Sequence, residues 1–160
     1  MPITEIQVGD QIIRYDRAAT AAAYAALEHG FAEECGCLSC RNFATRRNQV
    51  YPASFTALLE QLGIDPAKEA EAFEEGPADD GCQLYGGWFY LVGELVIGGE
   101  RNCVAADSHH FDFFFTSAVP KSQAFGDGPM LAVEFTTHIQ WDPSRTGDLA
   151  STQPALCTAP

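Results

Sequence analysis

Apolar and polar residues alternate most cleanly near the end of the chain. In "LAVEFTTHIQW", residues 131–141, five apolar side chains and a threonine take every second position, and polar residues or alanine take the others. A period of two is typical of a strand with one face buried in an antiparallel sheet. "FDFFFTS", residues 111–117, alternates in part, and "LYGGWFYLVGELVIGG", residues 84–99, is aromatic and β-branched with internal glycines. We therefore predict an antiparallel sheet over residues 83–141, with 84–99 as one bent strand or two.

Helical periodicity dominates the first half. An alanine-rich helix is predicted over residues 17–30, behind an aspartate that can cap it. The clearest helix lies between Pro52, a favoured first residue, and Gly63, a favoured stop. A short helix is expected around residues 41–48. Residues 67–75 can form a further helix, although their thin apolar face also allows a strand.

The order of these elements predicts the fold class. Residues 3–16 contain two short apolar stretches parted by a Gly-Asp pair, which indicates two strands or a hairpin. Together the pattern predicts an α+β fold, in which N-terminal strands and helices cover one face of a mainly antiparallel sheet formed by the C-terminal half. Residues 1–142 are expected to form a single domain. Residues 143–160 have little periodicity and are expected to be a flexible tail.

Acidic residues outnumber basic ones by 22 to 9, and the net charge is −13. Eight of the acids lie between Glu60 and Asp80, where they are opposed only by Lys68. We expect no binding to nucleic acid or anionic membranes, because both require Lys and Arg to neutralise phosphates. A basic protein partner is compatible with this charge, and so is the simpler interpretation that acidity keeps the protein soluble.

The expected cellular compartment follows from the sequence patterns for targeting and membrane insertion. "MPITEIQVGD" has no apolar run like that of a signal peptide, and no stretch approaches the roughly 20 apolar residues of a membrane helix. We therefore expect a soluble cytoplasmic protein. Thiols stay reduced there, so the six cysteines are expected to serve in metal binding, catalysis or inert burial rather than in disulfides.

"ECGCLSCRNF", residues 34–43, is the main candidate for chemistry. Cys35, Cys37 and Cys40 supply three of the four ligands that a structural zinc site takes in tetrahedral array. The best candidates for the fourth are His109 and His110, before a predicted strand. Weaker candidates are Cys82, Cys103, His29 and His138.

Two other interpretations of the cysteines remain open. Buried free cysteines are often small apolar residues without a role in chemistry. A Cys37-x-x-Cys40 dithiol at a helix start resembles redox motifs, although the βαβ context of a thioredoxin-like fold is missing. Three arginines just beyond the cysteines could stabilise thiolates or could instead pair with acidic residues: Arg41, Arg46 and Arg47.

Other catalytic signals are weak. The chain contains no G-x-S-x-G, no phosphate-binding loop and no H-E-x-x-H. His138 with Glu134 on one strand face could form an acid–base pair, but an exposed polar face is the favoured interpretation.

Four segments together resemble a family of small uncharacterised bacterial proteins: "CGCLSCRNF", "YPASFTALLEQLGIDPAKEAEAFEEGP", "LYGGWFYLVGEL" and "FGDGPMLAVEFTTHIQW". The resemblance covers most of residues 10–141 and implies no particular activity. It marks eight residues as shared with the family: Cys35, Cys37, Cys40, Arg41, Asn42, Gly86, Gly87 and Trp88. Three other cysteines lie outside its motifs: Cys82, Cys103 and Cys157.

These observations support two hypotheses about function. The first is a non-catalytic binding or accessory protein with a structural cysteine segment, with or without a stabilising metal such as zinc, and an acidic surface for a basic protein. The second is a small thiol-redox or metal-dependent enzyme that uses Cys37 or Cys40. We favour the first, because a catalytic site needs a base and a stabilising group as well as a nucleophile, and only the nucleophile can be named.

Overall fold

The computed structural model describes residues 2–99, 102–103 and 110–141, and for residues 102–103 it describes the backbone alone. The predicted flexible tail, residues 143–160, lies outside this part of the chain. Among the described residues, no helix has the length and apolar character that crossing a membrane requires.

The predicted α+β architecture is confirmed. The strands are β1 (Thr4–Val8), β2 (Gln11–Tyr15), β3 (Glu71–Pro77), β4 (Gln83–Ile97), β5 (Asn102–Cys103), β6 (Phe111–Thr116) and β7 (Met130–Ile139). They form one sheet in the order β1-β2-β4-β7-β6-β5, and β3 also pairs with β4. All these pairings are antiparallel.

The helices lie mainly in the first half of the chain. They are α1 (Arg17–Ala26), α2 (Phe31–Cys35), α3 (Leu38–Val50) and α4 (Ala53–Leu62), and a 3-10 turn follows at Gln123–Phe125. Asp16 starts α1 by accepting a hydrogen bond from the amide of Ala19 at 2.9 Å. α4 ends at Gly63, where φ is +83°, a value that favours glycine.

The sheet buries one face against the helices. On β7, the alternating residues Leu131, Val133, Phe135 and Ile139 are each at most 2% exposed, as the pattern predicted. Aromatic rings from α3 and α4 pack on this face; the Phe55 ring lies 4.7 Å from that of Phe111. We call this the covered face. The opposite, open face carries the intervening residues, which are half-buried: Leu84, Trp88, Glu134, Thr136 and His138.

Two segments differ from the prediction. Residues 71–77 form strand β3, so the predicted helix over 67–75 is wrong and the alternative strand is correct. Tertiary contacts decide this: Ala72 is buried on the covered face, and the Phe73 ring packs edge-on against Trp88 on the open face. The N-terminal strands form the expected hairpin, but they extend the sheet through β2 and β4 rather than covering it.

Candidate metal centre

The cysteine segment folds into a tight knuckle between α2 and α3. Cys35 is the last residue of α2, Cys37 caps α3 and Cys40 lies in its first turn. Gly36 between the helices has φ +65°, a left-handed conformation that reverses the chain and brings Cys35 towards the start of α3. The three sulfurs lie within 4.8 Å of one another. The cysteine cluster could therefore hold a metal ion.

The sulfurs differ in exposure and in acidity. Cys35 and Cys37 are exposed, whereas Cys40 is buried. The Cys37 sulfur accepts a hydrogen bond from the Cys40 amide at 3.4 Å, and this contact lowers the pKa of the Cys37 thiol. Burial raises the pKa of the Cys40 thiol. Cys37 is thus the more acidic thiol of the pair, and Cys40 is the less acidic one.

A buried ion network holds the two cysteine-bearing helices together. Arg47 of α3 donates to a carboxylate oxygen of Glu69 at 2.8 Å and also binds Glu33 of α2. Glu69 in turn accepts from the amide of Ala32, at the start of α2, at 2.8 Å. Because this network joins α2, α3 and the segment before β3, it fixes the position of Cys35 relative to Cys37 and Cys40.

Strands β3 and β4 of the sheet contact the knuckle. Tyr85 of β4 donates to the carbonyl oxygen of Ser39 at 2.9 Å, and the Cys40 sulfur lies 4.0 Å from the carbonyl oxygen of Ala72. The Ser39 hydroxyl donates to Glu74 of β3 at 2.5 Å. The cluster is therefore attached to β3 and β4, and an acidic side chain lies beside it.

The structure does not bring His110 to the cysteines. Its ring stacks on His138, and its Nε2 lies 3.4 Å from the Asp80 carboxylate. The reason is strand alternation: Phe111 points into the covered face, so the residue before it points to the open face. His109 lies outside the described residues. Within the described part of the chain, no Asp, Glu or His forms a metal-binding group with the three sulfurs.

The weaker candidate ligands do not join the cluster either. Cys82 is buried and takes part in a disulfide bond, so it has no free thiol to offer, and the expectation of reduced thiols is wrong at this position. The Nδ1 atom of His29 lies 3.4 Å from a carboxylate oxygen of Glu34. The side chains of Cys103 and Cys157 lie outside the described part of the chain.

The arginines beyond the cysteines have other partners. Arg47 pairs with Glu33 and Glu69 in the buried network, so of the two predicted roles it has that of pairing with acidic residues. Arg46 donates to Gln49 at 3.3 Å. Arg41 is exposed on α3 and lines a shallow cavity with Gly36 and Glu33 beside the knuckle. Arg41 therefore shares this cavity with Gly36, the residue between Cys35 and Cys37.

A second group of polar side chains lies on the open face. The Nδ1 of His138 is 2.8 Å from an Asp80 oxygen, so the partner of His138 is Asp80. The considered partner, Glu134, lies four residues away along the strand, about 13 Å at the usual rise. Burial alone would raise the pKa of Asp80, but the hydrogen bonds from His138 and from the Cys82 amide, together with the two nearby histidines, lower it. The role of Asp80 was missed because it depends on a turn and a strand register that no local pattern reveals.

Comparison of the chain with protein-family models, with curated proteins and with solved structures finds no match. The resemblance noted in the sequence therefore stays a prediction.

Proposed function

We propose that this chain is a non-catalytic, metal-binding accessory protein in which Cys35, Cys37 and Cys40 hold Zn²⁺. The observation that carries the proposal is the convergence of three sulfurs from two helix ends that a buried ion network locks together. In tetrahedral zinc with Zn–S bonds of about 2.3 Å, neighbouring sulfurs are about 3.8 Å apart. Sulfurs within 4.8 Å of one another reach that spacing by small side-chain rotations.

The different acidities of the Cys37 and Cys40 thiols fit this role. Zinc binds thiolates, and the lowered pKa of Cys37 makes its thiolate easier to form. Cys40 would release its proton on binding, and the cation would then compensate for its burial. Since Cys35 and Cys37 are exposed, the fourth position faces solvent, where water or a ligand from another molecule can enter.

Metal content and stability test the proposal together. Protein purified without a histidine tag should contain zinc by elemental analysis and native mass spectrometry, and one zinc per chain should depend on the cysteine cluster. Cys37→Ser should abolish zinc binding at the cysteine cluster and thereby lower stability. The expected loss is about 4 kcal/mol where free zinc is roughly a thousand times the Kd.

Cobalt provides a direct view of the ligands. Co²⁺ added to metal-free protein should give a thiolate-to-cobalt charge-transfer band that Cys37→Ser removes. Thr45→Ser, a comparable exchange on the same helix that retains all sulfurs, should leave the band unchanged. Absence of this band from the unsubstituted protein, or equal melting temperatures with and without zinc, would overturn the proposal.

An acidic surface beside the cluster supports a basic protein partner. Glu71, Glu74 and Glu75 lie on β3, and Glu74 accepts a hydrogen bond from Ser39 within the knuckle. The acidic stretch is not one surface, however, because Glu69 is buried with Arg47 and Asp80 lies with the histidines. The proposed docking face is therefore the exposed β3 segment rather than the whole of residues 60–80.

A second candidate function is thiol–disulfide exchange. It is favoured by one observation: an exposed Cys37 at the helix N-cap faces a buried Cys40, as an attacking and a resolving thiol would. The Cys37 thiolate would attack a substrate disulfide to form a mixed disulfide. Cys40 would then displace the substrate dithiol, so that two electrons pass to the substrate and a Cys37–Cys40 disulfide forms.

Reaction with oxidised glutathione separates the two functions. Metal-free protein treated with oxidised glutathione should form the Cys37–Cys40 disulfide if exchange is the function, and Cys40→Ser should trap glutathione on Cys37. Zinc-loaded protein whose thiols do not react under the same conditions would support the metal-binding proposal instead.

A further inference from the structure

Three side chains from separate parts of the chain meet on the open face. Asp80 comes from the turn between β3 and β4, His110 directly precedes β6, and His138 lies on β7. A single oxygen of Asp80 lies 2.8 Å from Nδ1 of His138 and 3.4 Å from Nε2 of His110. The three ligand atoms all lie within 4.8 Å of one another.

Strand register brings the two histidines together. Phe111 pairs with Thr137, so the residue before Phe111 faces the residue after Thr137 on the neighbouring strand. The two imidazole rings stack with centroids 4.1 Å apart and planes 3° from parallel. Both rings therefore present a nitrogen to the same carboxylate.

The carboxylate is oriented before any ligand binds. The other oxygen of Asp80 accepts a hydrogen bond from the Cys82 amide at 3.0 Å. The turn that presents Asp80 is closed by a hydrogen bond of 2.8 Å from the Ala78 amide to the Cys82 carbonyl, and it passes through Gly81, where φ is +84°. This support directs the remaining oxygen towards the histidines, as outer hydrogen bonds do for carboxylate ligands.

We propose that Asp80, His110 and His138 form a second metal site, which binds Zn²⁺ through two imidazole nitrogens and one carboxylate oxygen. Ligand atoms about 2.1 Å from tetrahedral zinc are about 3.4 Å apart. The Asp80–His110 separation is 3.4 Å, and the Asp80–His138 separation of 2.8 Å would have to widen by about 0.6 Å. The exposed position of His110 leaves a fourth coordination place open to solvent. This site lies on the open face and does not depend on the cysteine cluster.

The site would also have a mechanical effect. Zinc would tie the β3–β4 turn to β6 and β7, two strands from the other half of the sheet. Binding should therefore protect the turn amides, including that of Cys82, from hydrogen exchange.

Zinc titration in the absence of the cysteine site tests the proposal. The parent protein carries Cys35→Ser and Cys37→Ser, both at exposed positions, so that only the histidine site remains. By calorimetry it should bind one Zn²⁺. His110→Gln, at an exposed position, should weaken binding by about tenfold or more. His29→Gln, a matched exposed histidine beside Glu34, should bind as the parent does.

A spectroscopic measurement on the same parent tests the site even if the histidine variants fail to fold. One equivalent of Co²⁺ should shift the ring protons of His110 and His138 in the NMR spectrum. The proposal is overturned if the parent takes up no zinc, if His110→Gln binds zinc as tightly as the parent, or if His29 is the histidine that Co²⁺ shifts.

Discussion

The backbone amide of Cys40 donates a hydrogen bond to the sulfur of Cys37, 3.4 Å away, in the first turn of α3. The contact places negative charge where free amides and the helix dipole favour it. This contact lowers the pKa of the exposed Cys37 thiol, whereas burial raises the pKa of the Cys40 thiol, so two cysteines three residues apart differ in acidity.

Alkylation should show this difference in reduced, metal-free protein. Because a lowered pKa enlarges the thiolate fraction at neutral pH, the rate of Cys37 modification by iodoacetamide should rise with a midpoint below the ordinary value of about 8.5. Cys40 should stay unmodified while the fold is intact. Peptide mass spectrometry across a pH series measures both rates. In denaturant the two cysteines should react alike, and equal rates in the folded protein would contradict the prediction.

The buried network around Arg47 should dominate local stability. Arg47→Met leaves Glu69, itself buried, without its cation, so we expect a loss of about 3 to 5 kcal/mol in urea unfolding. Arg41→Met, at an exposed position of the same helix, should change stability by no more than about 0.5 kcal/mol. Similar losses in the two variants would mean that the network contributes no more than an exposed arginine.

Asn42 should stabilise the protein by linking α3 to the sheet. It is fully buried, and its amide nitrogen donates to the Gln140 carbonyl at 3.2 Å and to the Tyr85 hydroxyl at 3.3 Å. Asn42→Ala should cost about 1 to 3 kcal/mol, because it leaves buried acceptors without a donor. Asn48→Ala, on the exposed side of α3, is the control and should be near neutral. An unchanged melting temperature in Asn42→Ala would rule out this role.

The acidic β3 segment should bind basic proteins in a salt-dependent way. With lysozyme as a basic probe, association should weaken steeply between low and physiological salt, because exposed charges are screened over about 8 to 10 Å. Glu74→Gln with Glu75→Gln should reduce binding at low salt. Glu28→Gln with Asp127→Asn makes the same charge change elsewhere on the surface and should have less effect. Equal effects from the two pairs would show that net charge alone drives binding.

Local periodicity was sufficient to predict the helices and strands that have one strong pattern and clear ends. The helix ending at Gly63 and the buried alternation from Leu131 to Ile139 were both predicted, because helix and strand repeats depend on neighbours along the chain. The cysteine spacing likewise indicated a shared site, since sulfurs two and three residues apart can meet within a single turn.

Only the tertiary structure decided what depends on distant partners. Residues 71–77 have helix-forming composition but become a strand, because pairing with β4 and burial of Ala72 outweigh local propensity. The separation of His110 from the cysteines and its meeting with Asp80 and His138 follow from strand register and a turn 30 residues earlier in the chain. A one-residue shift of that register would turn His110 to the other face of the sheet, and no pattern within a short window specifies it.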